Sequence, residues 1–552
     1  MRHLLVVTLG LAVLATACSP APQQGPSGAE QAKADLEKSR AQSCEPGSEP
    51  WRSPGPPVRG NTLSRAHQTF EHLDWTKGTG AAAGGIAQMY NSLVQLRGCD
   101  FQDNALVPSL AKSWDISADG LTYTLKLRDD VKWHNKAPVN GRAFVAGDVA
   151  FSIDLQKAEG VLGSFWADSS YTIPDPHTIV LKLNVPDADF VDKMGEYRNV
   201  ILPKEVKQQY GDFRSVAIGT GAYMMKDYRL GQYVNAERNP DYYEMGADNK
   251  PLPYLDGYQS VVFPDYTAEV AALRSGQIDT VRFSGLRKTE ADVLRKTNPD
   301  LRYYTQERFS NSSLWFNLKK APWNDVRVRK AAQLVLNRED LIASYQGAAA
   351  HAGFIPPAFK EYLWPEEKLV QRFKPDVEQA KKLMAEAGIA PGGINVTIVT
   401  GGPYAQGAEV AAEHLKQIGI ATTIDVQGDS FTPILQKGNL KDLGWGNLGS
   451  VQFLTYWLSD IAKSTSNQNY VGFSDAKVDQ LAAAQARESS FDKRFALADQ
   501  EQERLYELMP WVPTVSEQYH RFESCRLRNS PKISPNYNPR SVVFSWLDST
   551  GC

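Results

Sequence analysis

The run Gly444-Trp445-Gly446-Asn447-Leu448-Gly449 has Gly-x-Gly-x-x-Gly spacing, which lets a backbone approach a pyrophosphate closely. A dinucleotide site also needs a helix with a free N-terminus directly after the glycines and an acid about 20 residues on. The residues that follow, Val451-Gln452-Phe453-Leu454-Thr455-Tyr456-Trp457, open no such helix, so no cofactor is expected. They offer a different chemistry: Phe453, Tyr456 and Trp457 carry flat apolar faces suited to stacking on sugars or other rings. The sequence holds no Gly-x-Ser-x-Gly elbow, no His-Glu-x-x-His helix and no Gly-x-x-x-x-Gly-Lys-Ser/Thr loop. Its 63 acids could still supply the two carboxylates, about 5–10 Å apart, that glycoside hydrolysis requires. A secreted hydrolase is therefore the rival to a binding protein. The five cysteines, Cys18, Cys44, Cys99, Cys525 and Cys552, show no zinc-type spacing, and no metal is expected.

Such residues need a scaffold, and 552 residues exceed what one hydrophobic core organises. Two or three folded units are expected. With 42% hydrophobic residues the supply of core is ample, and a net charge of −3 gives no basic field for nucleic acid. Arg2 precedes an apolar run from Leu4 to Ala15. As a helix that run spans roughly 18 Å, short of the ~30 Å bilayer core, which suits a signal peptide over residues 1–17. The run closes Leu14-Ala15-Thr16-Ala17-Cys18-Ser19. This resembles a bacterial lipoprotein processing site, with Ala15 where that pattern favours leucine. The resemblance implies acylation of Cys18 and membrane contact through the lipid alone. Residues 18–58 are rich in Pro, Ser, Gln and Gly and are expected to form a flexible tether. Export permits disulfides among the other four cysteines. Three pairings are open; Cys44–Cys99 with Cys525–Cys552 closes the shorter loops and is preferred.

Within the body, Asp119-Gly120 is a hairpin turn, and Leu121, Tyr123, Leu125 and Leu127 alternate with polar residues after it. Two strand–helix–strand units are legible. One runs from Ser260–Phe263 through a helix at Thr267–Arg274, stopped by Gly276, to Ile278–Phe283. The other runs from Asn395–Thr400 through Ala408–Ile418, stopped by Gly419, to Ile420–Val426. Lying more than 100 residues apart, they indicate two α/β lobes. Further helices are predicted over Val326–Leu336, from Asn337 onward, and over Pro375–Ala387.

Five stretches in order resemble the bacterial extracellular solute-binding proteins of ABC importers, the oligopeptide and dipeptide receptor family. They are Ser109–Trp114 running on to Trp133-His134; Asn140–Phe144 with Gly147-Asp148-Val149; Gly219-Thr220-Gly221-Ala222-Tyr223 with Glu237–Tyr243; Pro253–Gly257 with Leu273–Asp279; and Phe316-Asn317 with Asp325–Ala331. The likeness extends over roughly residues 60–550. It implies an α/β, two-lobed periplasmic-binding-protein type II fold with an extra α+β domain. Residues 59–95, 215–310 and 511–552 would form lobe I, 96–214 the extra domain and 311–510 lobe II. Two strands would cross between lobes near Glu307–Phe316 and Pro510–Glu517. The implied job is capture of a small solute between lobes that close on it, and delivery to an ABC permease by a monomer that is not an enzyme.

The resemblance also implies a site. Gly-Trp-Gly ends a strand facing the ligand in that family, which puts Trp445 first. Trp75, Asn311, Trp315, Tyr404 and Trp511 follow by position, and Tyr456 and Trp457 join them as stacking candidates. Peptide-binding members usually carry an aspartate two or three residues after this motif, paired with the peptide ammonium. Leu448, Gly449 and Ser450 stand here instead, which leaves an oligosaccharide as an alternative to a peptide-like solute.

Overall fold

The computed structural model describes residues 56–548 apart from 68, 71, 78–84, 97–105, 161, 283–284, 307, 309, 346–348, 391, 428–430, 432–433, 436–439, 449–450, 452 and 531–539. The expected signal peptide, Cys18 and nearly all of the tether fall outside that range, as do Cys44, Cys99 and Cys552. Cys525 is disulfide-bonded.

The hairpin forms as its alternation requires. Strands Ala111–Ile116 and Thr122–Leu127 pair antiparallel, with Tyr123, Leu125 and Leu127 buried. Asp119 Oδ1 accepts from the Leu121 N–H at 3.0 Å, and Gly120 takes a φ of 69°. Strands Thr178–Leu183 and Ser169–Asp175 extend this pair into a four-stranded antiparallel sheet. Beside it lies the lobe I sheet. Strand Thr62–His67 pairs parallel with Gly257–Val262, and Tyr233–Arg238 and Tyr223–Arg229 continue it antiparallel. The two sheets share one continuous core, in which Leu125, Trp166 and Phe190 join Leu63, Tyr223 and Tyr258.

The first strand–helix–strand unit is only partly realised. Asp265 caps the helix Tyr266–Arg274 by accepting from the Ala268 N–H at 2.8 Å. The expected strand Ile278–Phe283 shrinks to single bridges at Thr280. Asp279 turns inward instead, taking the Ser64 N–H and pairing with Arg526. The second unit forms as read: Ile394–Thr400 and Ile420–Val426 run parallel, joined by the helix Ala405–Lys416.

Lobe II is built on a six-stranded sheet ordered Ala349–His351, Trp511–Glu517, Ser312–Phe316, Leu443–Asn447, Ile394–Thr400, Ile420–Val426. The strand Trp511–Glu517, expected in lobe I, pairs among the described residues with Ser312–Phe316 and Ala349–His351 of this sheet. The chain crosses between lobes twice: between Arg302–Gln306 and Ser312–Phe316, and between Trp511–Glu517 and Tyr519–Glu523. The outer halves of these segments pair with each other, as do the inner halves. Gly444 and Gly446 serve close packing here: a Cβ on either would lie 2.5 or 2.6 Å from the Phe431 ring.

Gly219 and Gly221 press against Gln88–Tyr90, where added Cβ atoms would sit 1.9 Å from Met89 O and 2.3 Å from Gln88 O. His134 locks this contact. Its Nδ1 accepts from the Gly219 N–H at 3.2 Å, and its Nε2 donates to Gly221 O at 3.0 Å, which fixes a neutral ring. Burial pushes its pKa down to about 4. The unfolded chain, at the ordinary 6.5, binds the proton first, so this contribution is whole above pH 6.5 and fades as pH falls toward 4. The span corresponds to about 3 kcal/mol. His134→Gln is expected to flatten the fall in unfolding free energy between pH 7 and 4.5, measured by urea titration. Equal losses in variant and parent would refute the assignment.

Candidate functional site

Strand direction defines where a ligand could sit. The strands ending at Thr400, Val426, Asn447 and Glu517 all point the same way, and Ser312 begins its antiparallel neighbour at that same edge. Ligands of open α/β sheets bind outside such carboxyl ends. Both lobe crossings leave from this edge, so it faces lobe I.

A connected polar cluster occupies the edge. Arg308 lies in the first crossing and Glu517 ends the strand leading to the second. Arg308 NH1 donates to Glu517 Oε2 at 2.9 Å, with both side chains nearly buried. The Ser312 hydroxyl donates to the other Glu517 oxygen. With its carbonyl turned to Arg308, the Asn447 amide accepts from NH2 at 2.9 Å and donates to the Tyr404 hydroxyl at 3.0 Å. The guanidinium rests 4.6 Å from the Tyr519 ring centroid. Burial opposes its charge, but Tyr519 and Glu517 hold its proton well above the ordinary arginine range. The Tyr345 hydroxyl lies among Ser312, Trp445 and Tyr404; burial, with Glu517 nearby, raises its pKa. The charges within the cluster are balanced. Arg308 Nε, Ser310 Oγ and Asn311 Oδ1 are buried with no hydrogen-bond partner among the described residues.

Lobe I contributes aromatic residues. Trp75 is buried edge-on to Tyr90 and Tyr197, with centroids 5.8 and 6.4 Å away. Arg198 lies over the Tyr197 ring and pairs with Glu196 at 2.7 Å. Tyr456 acts on the charge of Arg198, which places these two groups close across the border, while Tyr519 lies near Tyr197 on the lobe I side.

The expected site residues separate into groups. Tyr404 belongs to the edge cluster, and Asn311 sits beside it, anchored by Nδ2 donating to Gly353 O at 2.8 Å. Trp445 is 0% exposed on the sheet face covered by the helix Ala405–Lys416, its Nε1 end near Gly407 and the Tyr345 hydroxyl. Trp315 and Trp511 stack on each other with centroids 5.3 Å apart. Their register places them on the face opposite Trp445, because Leu314 is the residue paired with Trp445. Trp457 is buried in lobe II and donates to Val451 O. Tyr456 faces the border, and Trp75 stands across it. Of the three positions that follow the Gly-Trp motif, Leu448 is buried, while Gly449 and Ser450 lie outside the described residues.

Sequence reasoning missed Arg308, Ser312, Tyr345, Asn447, Glu517 and Tyr519. A signal existed for two of them: Arg308 and Glu517 are charged residues inside the expected crossings. Among the described residues, no group of three or more His, Cys, Asp or Glu could hold a metal ion, and no helix is long and apolar enough to cross a membrane.

Comparison with known proteins agrees with this architecture. The Haemophilus influenzae heme-binding protein A is 29% identical over 467 residues, covering 78% of this chain and 81% of its own. The Pseudomonas aeruginosa di/tripeptide-binding protein 2 is 29% identical over 442 residues, covering 74% and 80%. The solved structure of the Helicobacter pylori periplasmic binding protein DppA, in complex with the peptide STSA, superposes with a TM-score of 0.75 at 25% identity, covering 89% of this chain and 99% of that one. The profile described as bacterial extracellular solute-binding proteins, family 5 Middle, matches residues 105–474. By fold, crossing geometry and that match, the chain belongs to the bacterial extracellular solute-binding proteins, family 5.

Proposed function

We propose that this chain captures a small peptide-like solute at the Arg308–Glu517–Asn447–Tyr404 edge, under cover of lobe I, and hands it unaltered to an ABC importer permease. The observation that carries the reading is the position of this charge-balanced cluster at the carboxyl edge, between the two crossings. Hydrogen-bonding groups left open there suit amide or hydroxyl partners. Two relatives named for peptides, the Pseudomonas and Helicobacter proteins, support a peptide-like solute. Leu448 supplies no counter-charge for a free ammonium, and a buried unpaired ammonium would be costly. The bound group is therefore neutral or paired within the solute, and an oligosaccharide stacked near Tyr456 is the second reading. Acylated Cys18 would hold the receptor on a membrane without a spanning helix, and the chain would act as a monomer.

Mass spectrometry of protein extracted from membranes in mild detergent tests these points together. Near-stoichiometric peptide masses and an acyl-modified Cys18 are expected. Hexose-spaced masses would favour the oligosaccharide, an unmodified Cys18 would remove the anchor, and product accumulating on incubation would favour the hydrolase.

A further inference from the structure

The two halves also meet away from the sheet edge. In the extra domain, Asp189 stands at the start of the helix Phe190–Gly195; in lobe II, Thr455 precedes the turn Tyr456–Asp460, and Arg494 lies in the first turn of the helix Phe491–Leu508. Arg494 NH1 meets Asp189 Oδ1 at 2.6 Å. The Thr455 N–H donates to Asp189 Oδ2 at 2.8 Å, and its hydroxyl donates to the same oxygen. Asp189 is 3% exposed and Arg494 8%. The remaining Arg494 donors reach Thr455 Oγ1 at 3.2 Å and Gln485 Oε1 at 3.3 Å. Around this pair the Ala188 N–H donates to Ala486 O at 2.8 Å, Phe165 meets Phe453 edge-on at 4.9 Å, and Lys193 lies 5.5 Å from the Phe453 centroid.

We propose that Asp189 and Arg494 form a built-in closure latch that holds the extra domain on lobe II before any solute arrives. Both charges are satisfied by protein groups alone, so the contact needs nothing from the solute. The carboxylate takes its donors from lobe II, and the two halves it joins have separate cores. A contact made only when closed shifts the population toward closure and reduces what the solute's own binding must supply. Asp189 and Arg494 are thus positioning residues. The proposal stands whether the solute is a peptide, a sugar or something else.

The test uses the full chain stripped of solute by dialysis in guanidinium and refolded. The Ala188 and Thr455 amide protons bridge the two halves and report directly by hydrogen exchange. In the wild type both should be protected without solute. In D189A/R494A both should exchange at least tenfold faster, while Leu314 and Val512 in the lobe II sheet stay unchanged and small-angle scattering shows a larger radius of gyration. Should that variant lose its far-UV dichroism, isosteric D189N carries the same comparison. Wild-type amides exchanging as freely as an unstructured peptide would overturn the latch, as would variant rates equal to wild type.

Discussion

Arg308→Ala is expected to abolish solute capture and to lower stability by about 3–5 kcal/mol, the usual result of removing one partner from a buried ion pair. The size follows from what the guanidinium joins. It ties the first crossing to Glu517 at the start of the second, reaches Asn447 on the Gly-Trp-Gly strand and lies over Tyr519. Without it Glu517 would keep only the Ser312 hydroxyl among these partners, and its charge would stay nearly buried. Arg308→Lys should recover part of the loss, because an ammonium can meet Glu517 but cannot bridge to Asn447 as a planar fork does. Calorimetric titration with the co-purified solute, alongside urea unfolding, measures both effects. An alanine variant binding within twofold of wild type would remove Arg308 from the site.

Trp445→Ala should cost lobe II about 3–5 kcal/mol, as loss of a fully buried tryptophan leaves a cavity that its neighbours cannot close. The indole lies wholly under the helix Ala405–Lys416, close to Gly407 and Tyr345. Hydrogen exchange should therefore accelerate across Ile394–Thr400 and Leu443–Asn447 and stay unchanged in Gly257–Val262, whose core is separate. If affinity collapsed while unfolding shifted by less than about 1 kcal/mol, the tryptophan would be a wall of the solute chamber rather than a pillar of the lobe.

Local patterns carried most of the fold. Alternation around Asp119-Gly120 specified the hairpin, and Asn337 specified a helix start, which it caps by accepting from the Glu339 N–H. Each of those signals is complete within a few residues. The strand expected at Ile278–Phe283 failed because Asp279 found distant partners in Ser64 and Arg526, which no local pattern announces. The site was less legible for the same reason. Arg308, Asn447 and Glu517 are separated by 139 and 70 positions and become neighbours only through sheet order. Tyr404 was named through the family resemblance, by its position. Trp315 and Trp511 were each named by the resemblance; they stack on each other, on the sheet face away from Trp445.

The Trp315–Trp511 stack has a consequence for the order of events. It clamps the two crossing strands together just inside lobe II, so rotation between lobes must be absorbed on the lobe I side of that stack. Arg308 and Glu517 flank that axis and travel little, so the lobe II half of the cradle is preassembled even when the jaws stand apart. Encounter then happens on lobe II first. Association rates should respond to changes at Tyr404 and Asn447, whereas changes at Trp75 or Tyr197 should register in dissociation.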